Sequence, residues 1–181
     1  MEERWLAAAA SGQDRGRRWA QASAVLRPDA VAPALRAISL DDLAQLGYLG
    51  IIVDLDNTLV GYGAETLAPE DVAWIAAARA AGFAVCLLSN NFSGRVGRIA
   101  THLGVPGVSS ALKPLPRGFR QALRLMGTPA DRTVVIGDQL FTDVLGAKLA
   151  GMHAILTEPL LGHDWLGTRI LRFLERRLLG R

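Results

Sequence analysis

The sequence holds one cysteine, Cys86, among its 181 residues, so no internal disulfide framework can form. A single thiol suits a reducing cytoplasm. Its place inside the apolar run Phe83–Leu88 reads as a buried structural group, not a reactive one. Half the residues are hydrophobic, yet no apolar run approaches the roughly 18 that a membrane-spanning helix needs. The stretch Trp5–Ala10 is too short and too poorly flanked for a signal peptide. The expected location is the cytoplasm, either free or peripheral at the inner face of the membrane. Aromatics are scarce, at 6%, and no aromatic series accompanies the arginine clusters, which counts against a nucleic-acid partner. Lysine is nearly missing. Eighteen of the twenty basic residues are Arg, and only Lys113 and Lys148 are Lys. A compact ammonium retained in such a chain invites the question of what it touches.

What is present is an alternation. Gly50 and the polar pair Asn57-Thr58 bound a short apolar run, Ile51 to Val53, that reads as a buried strand over 50–55. Pro69-Glu70-Asp71 opens a helix that Gly82 stops, with Pro in the first turn and acids at the positive dipole end. Strands are predicted at 83–88, 107–110, 133–136 and 152–156. Helices are predicted from about Ser93 to Leu103, Pro116 to Met126 and Leu140 to Ala150. Ahead of them, residues 26–47 read as short helical pieces, one capped by Ser39 and stopped by Gly47. The pattern predicts an α/β fold, a doubly wound, Rossmann-like parallel sheet of about five strands flanked by helices. Residues 1–25 read as a flexible or partly helical arm, and 26–181 as a single domain ending in a basic amphipathic helix at 165–179.

Polar groups collect where those strands end. Asp54 and Asp56, two apart, point to the same side of a strand. Two adjacent carboxylates repel unless a cation or a proton divides them. Ser89 and Asn90 follow the second strand, Lys113 the third, and Asp138 and Asp143 the fourth. Each alone has an ordinary reading: an N-cap, a turn residue, a solvated charge. Together they lie at one edge of one sheet, where open α/β folds bind ligands.

Asp54-Leu55-Asp56-Asn57-Thr58, Ser89, Lys113 and Gly137-Asp138 with Asp143 resemble the four motifs of the haloacid dehalogenase (HAD) superfamily. The resemblance implies a phosphatase. Asp54 is then the nucleophile that forms an aspartyl-phosphate, and Asp56 the general acid and base. Thr58, Ser89, Asn90 and Lys113 are implied to contact the phosphate. Mg²⁺ is implied on Asp54, the Asp56 backbone carbonyl, Asp138 and, through water, Asp143, which alternatively orients Lys113. Lys148 is expected to be a surface residue, and His102, His153 and His163 have no evident partners.

The family usually selects substrates with a cap domain. Only 30 residues separate Thr58 from Ser89, enough for a loop, a helix and a strand. The Gly61–Pro69 flap is the only local lid, and Tyr62 within it reads as an exposed turn residue, with a substrate contact as the alternative. A capless site suits a bulky substrate whose phosphate projects, or a homo-oligomer in which a second subunit lends a lid. The stretches Asp-Leu-Asp-Asn-Thr-Leu-Val, Leu-Ser-Asn-Asn and Gly-Asp-Gln-Leu-Phe-Thr-Asp-Val-Leu-Gly are similar to the capless YqeG group. That group resembles phosphatases acting on phosphatidylglycerophosphate, so the substrate implied is a lipid headgroup; the alternatives are a soluble, protein or nucleic-acid phosphate, and after them a binding role without turnover. The terminal helix agrees with this. Leu166, Ile170, Phe173, Leu174 and Leu178 repeat at helical spacing among Arg169, Arg172, Arg176 and Arg177. That stripe suits an anionic membrane surface or packing on the core.

Overall fold

The computed structural model describes residues 24–61, 64–92 and 94–160. The expected arm at 1–25, apart from its last two residues, Tyr62, the first residue of the 93–103 helix and the terminal helix at 165–179 lie outside the described residues.

Six parallel strands form one sheet: β1 (Ala30–Ala32), β2 (Gly50–Asp54), β3 (Ala84–Leu88), β4 (Gly107–Val108), β5 (Thr133–Gly137) and β6 (His153–Thr157). Their spatial order is β1-β6-β5-β2-β3-β4. From β2 the chain winds outward through β3 to β4. It then returns to the other side of β2 for β5 and β6. The winding reverses between β2 and β5, and a crevice opens there at the carboxyl ends of the strands. Val53 of β2 lies opposite Ile136 of β5, so Asp54 and Asp138 emerge on either side of that crevice.

Every residue of β2 is buried, as expected of a strand covered on both faces. Alternate side chains serve opposite layers. Ile51 and Val53 pack with Trp74, Ile75 and Ala78 of α2 (Pro69–Ala80) and with Val96 and Ile99 of α3 (Arg95–Leu103). Ile52 packs with Phe119 and Ala122 of α4 (Pro116–Met126) and with Ala147 of α5 (Leu145–Leu149). Before β2, α1 (Leu40–Gln45) is capped by Ser39, whose hydroxyl accepts from the Asp42 backbone N–H. Gly47, at φ 80°, ends that turn.

The structure departs from the sequence expectations at a few points. A sixth strand, β1, lies within the stretch read as helical pieces. Three residues, Ala-Val-Ala, carry no period of their own, and β1 forms because β6 offers an open edge. The third strand ends at Val108, before Ser110 turns left-handed at φ 50°. Leu140–Val144 is a π-helical turn ahead of α5. Lys148 is half-buried and ion-paired with Asp29 at 2.6 Å. His153 has partners too. Its ring meets Tyr48 edge-on at 5.3 Å, and Nδ1 lies 3.6 Å from Asp29.

Candidate active site

Asp54 is the last residue of β2, and the chain beyond it folds back on itself. Asn57, left-handed at φ 63°, donates its N–H to the Val60 carbonyl at 2.7 Å. The N–H groups of Leu59 and Val60 return to the Leu55 carbonyl at 3.1 and 3.0 Å. Asn tolerates this conformation better than most residues. The buried Leu55 anchors the turn, leaving Asp54 and Asp56 on its other side. Thr58 is buried within the turn, and its hydroxyl has no partner among the described residues.

Lys113 reaches this point from the β4–α4 loop and is itself buried. Its ammonium donates to Asp54 Oδ1, to Asp143 Oδ1 at 2.6 Å and to the Leu88 carbonyl at 3.3 Å. Three donors meet three acceptors converging on one nitrogen. That geometry explains why lysine stands here in a chain that otherwise uses arginine. Burial alone would lower the pKa of the ammonium. The charges of Asp143 and Asp54 outweigh it and hold the group above the ordinary lysine value. Asn90 brackets the backbone of the same residue. Its Oδ1 accepts the Lys113 N–H at 2.6 Å, and its Nδ2 donates to the Lys113 carbonyl at 3.1 Å.

Asp138 follows β5, and Asp143 comes from the π-helical turn. The wider turn brings Asp143 back toward the strand end, where its Oδ2 accepts the Gln139 N–H at 3.2 Å. Gly137 is required for this approach, because a Cβ there would lie 2.7 Å from Asp143 Cβ and overlap its carboxyl group.

Oxygens of Asp54, Asp138 and Asp143 lie within 4.8 Å of one another. Asp54 Oδ2 and Asp138 Oδ1 are buried with no hydrogen-bond partner among the described residues. Burial raises both carboxyls above the usual range. The Lys113 charge opposes this at Asp54, while the Asp54 charge adds to it at Asp138. Three carboxylates facing one ammonium are short of positive charge. The partnerless oxygens are hard donors of the kind that hold a divalent cation.

Asp56 faces different groups. Ser89 Oγ approaches its Oδ2 at 3.4 Å and accepts the Asn91 N–H at 3.0 Å. Oδ1 is ion-paired with Nη2 of Arg95, a buried guanidinium at the start of α3. Sequence reasoning missed Arg95, although a signal was there. It occupies the same helical stripe as Ile99 and Leu103, four and eight residues on, where an apolar side chain is expected.

The profile of haloacid dehalogenase-like hydrolases matches residues 39–151. The probable phosphatase YqeG of Bacillus subtilis strain 168 is 38% identical over 152 residues, 84% of this chain and 88% of that protein. The chloroplastic phosphatidylglycerophosphate phosphatase 1 of Chlamydomonas reinhardtii is 25% identical over 142 residues, 74% of this chain and 53% of that one. In fold, the chain resembles NagD from Escherichia coli K-12, with a TM-score of 0.53 and 16% identity over 67% of this chain and 91% of that one.

Proposed function

The chain belongs to the haloacid dehalogenase-like hydrolases as a phosphatase, and from that premise we propose that it removes the terminal phosphate of phosphatidylglycerophosphate. The carrying observation is the Lys113 ammonium held between Asp54 and Asp143, with Asp56 two residues beyond the nucleophile. Asp54 attacks phosphorus, and the bond to the leaving alcohol breaks. Asp56 gives that alcohol its proton. Asp56 then takes a proton from water as the water displaces phosphate from the aspartyl-phosphate, which restores Asp54. Lys113 holds the Asp54 carboxylate in line and offsets its charge against the incoming phosphate. Asp54, Asp138, Asp143 and the Asp56 backbone carbonyl are the residues to hold Mg²⁺, which supplies further charge neutralisation when bound. The unpartnered Thr58 hydroxyl and Ser89 are available to phosphoryl oxygens. Asn90 acts through the Lys113 backbone that it brackets.

Access supports a lipid substrate. Among the described residues no cap is inserted between the strands, so the crevice opens directly outward. Phe92, 77% exposed, and Leu112 and Leu115 project from the two loops beside it. Those loops are tied together by Ser110 N–H to the Asn91 carbonyl at 3.1 Å and Ala111 N–H to the Ser89 carbonyl at 3.0 Å. Arg117, Arg120 and Arg124 follow along one exposed stripe of α4, with no carboxylate partner among the described residues. Apolar tips beside unpaired arginines suit an anionic bilayer. The likeness to the algal phosphatidylglycerophosphate phosphatase points the same way.

The test is phosphate release, with Mg²⁺, from phosphatidylglycerophosphate in anionic vesicles, beside a panel of soluble phosphomonoesters. Strong preference for the lipid, lost in Asp54→Asn, is expected. Turnover of soluble, protein or nucleic-acid phosphates without the lipid would keep the chemistry and remove the lipid assignment.

A further inference from the structure

Arg95 is 4% exposed and sits beside the reaction centre, yet the chemistry above assigns it no task. Its guanidinium holds two groups from different segments. Nη2 pairs with Asp56 Oδ1, and Nη1 donates to the Ala64 carbonyl at 2.7 Å. One turn later on α3, Arg98 pairs with Glu65, next to Ala64, with Nε 3.3 Å from Oε2. That second pair is exposed at both ends and adds little. The buried guanidinium therefore carries the connection between the carboxyl and the segment that follows the catalytic turn.

We propose that Arg95 is a positioning residue that aims the proton of Asp56 at the leaving oxygen. The geometry gives the reason. Oδ1 accepts from Nη2 of the guanidinium, which can only donate, so a proton placed there would face another donor. Oδ2 meets the Ser89 hydroxyl at 3.4 Å, a rotor that can accept as well as donate, and is the oxygen that carries the proton to the alcohol. The planar fork of Arg95 also fixes the carboxyl plane, because its other arm is anchored on a main-chain carbonyl that cannot rotate away. A lysine could supply the charge but could not span both acceptors with fixed geometry.

This inference rests on Asp56 being the general acid, and its test separates the two. A proton donor matters most when the leaving group is a poor one. The measurement is kcat/KM, which reports only steps up to formation of the aspartyl-phosphate. It is taken on p-nitrophenyl phosphate, whose phenolate leaves without help, and on an alkyl phosphomonoester, whose alkoxide does not. Arg95→Met, which keeps the apolar stem, is expected to lose on the order of 100-fold on the alkyl ester and about threefold or less on the aryl ester. Arg95→Lys is expected to lose about tenfold on the alkyl ester alone, and it carries the comparison if Arg95→Met does not fold. Asp56→Asn is the control. Selective loss in Asp56→Asn with equal or no loss on the two esters in the Arg95 variants would overturn the role of Arg95 and leave the acid in place. Equal loss on both esters in Asp56→Asn would remove the acid assignment, and this inference with it.

Discussion

Lys113 shows what a single residue contributes that its charge alone does not. Three acceptors meet its nitrogen, two of them carboxylates with almost no access to water. Lys113→Arg retains the charge but cannot place a broader guanidinium among them, and kcat is expected to fall on the order of 100-fold. Lys113→Met strands two buried carboxylates and should cost about 3–5 kcal/mol in denaturant melts. Gly137 answers to shape in the same place. Gly137→Ala forces the Asp143 carboxyl to move, at a cost of about 1–3 kcal/mol, with loss of turnover. Cys86 behaves oppositely, as a group kept away from chemistry. Burial pushes its thiol up to about 12, and Sγ donates to the Leu87 carbonyl at 3.4 Å. The native protein should resist thiol reagents at pH 8 and react only once unfolded. The folded pKa lies above the unfolded value of about 8.5, so the thiol's contribution to stability is full below that value. It is lost as pH rises through the folded value.

At the scale of the element, β1 forms through its neighbours. The Asp29 backbone N–H donates to the Ala154 carbonyl at 2.8 Å, and the Asp29 carboxylate accepts the Ala154 N–H at 2.7 Å. Lys148 closes on the same carboxylate. The half-buried ion pair, still open to water, is worth little and the bond to the Ala154 N–H is worth more. Asp29→Asn, which keeps an acceptor there, should cost no more than about 1 kcal/mol. Asp29→Ala should cost about 1–2 kcal/mol and speed amide exchange over Ala30–Ala32. Equal costs for the two would mean that the ion pair holds the strand. The helices needed no such help. Pro69 and Pro116 start two of them and Gly127, left-handed at φ 69°, caps one, so these bounds were legible in the sequence. The π-helical turn was not, because it answers to the place where Asp143 must point.

For the whole molecule, the balance of charge at the crevice has a thermal signature. Asp54, Asp138 and Asp143 crowd together with two partnerless oxygens. Adding Mg²⁺ should raise Tm, with a gain of about 2.7 kcal/mol at 100 times its Kd. Chelation should abolish turnover. Asp138→Asn should raise the Tm of the metal-free protein, by relieving repulsion, and remove the response to Mg²⁺. A Tm indifferent to the ion in both proteins would count against a metal on these carboxylates.

The sequence by itself determined the parallel α/β architecture, the succession of its main strands along the chain and the edge at which Asp54, Asp56, Ser89, Lys113, Asp138 and Asp143 gather. These follow from local signals: apolar runs, helix caps and the rule that side chains two apart share a side. Only the tertiary structure decided how those residues are paired. The winding reversal sets Asp54 opposite Asp138, and a loop 59 residues beyond Asp54 carries Lys113 onto its carboxylate. Arg95 turns inward where its helical position called for an apolar side chain, because the Asp56 carboxylate and the Ala64 carbonyl both wait at that point. Pairing between groups far apart in the chain is a property of packing, and no local pattern records it.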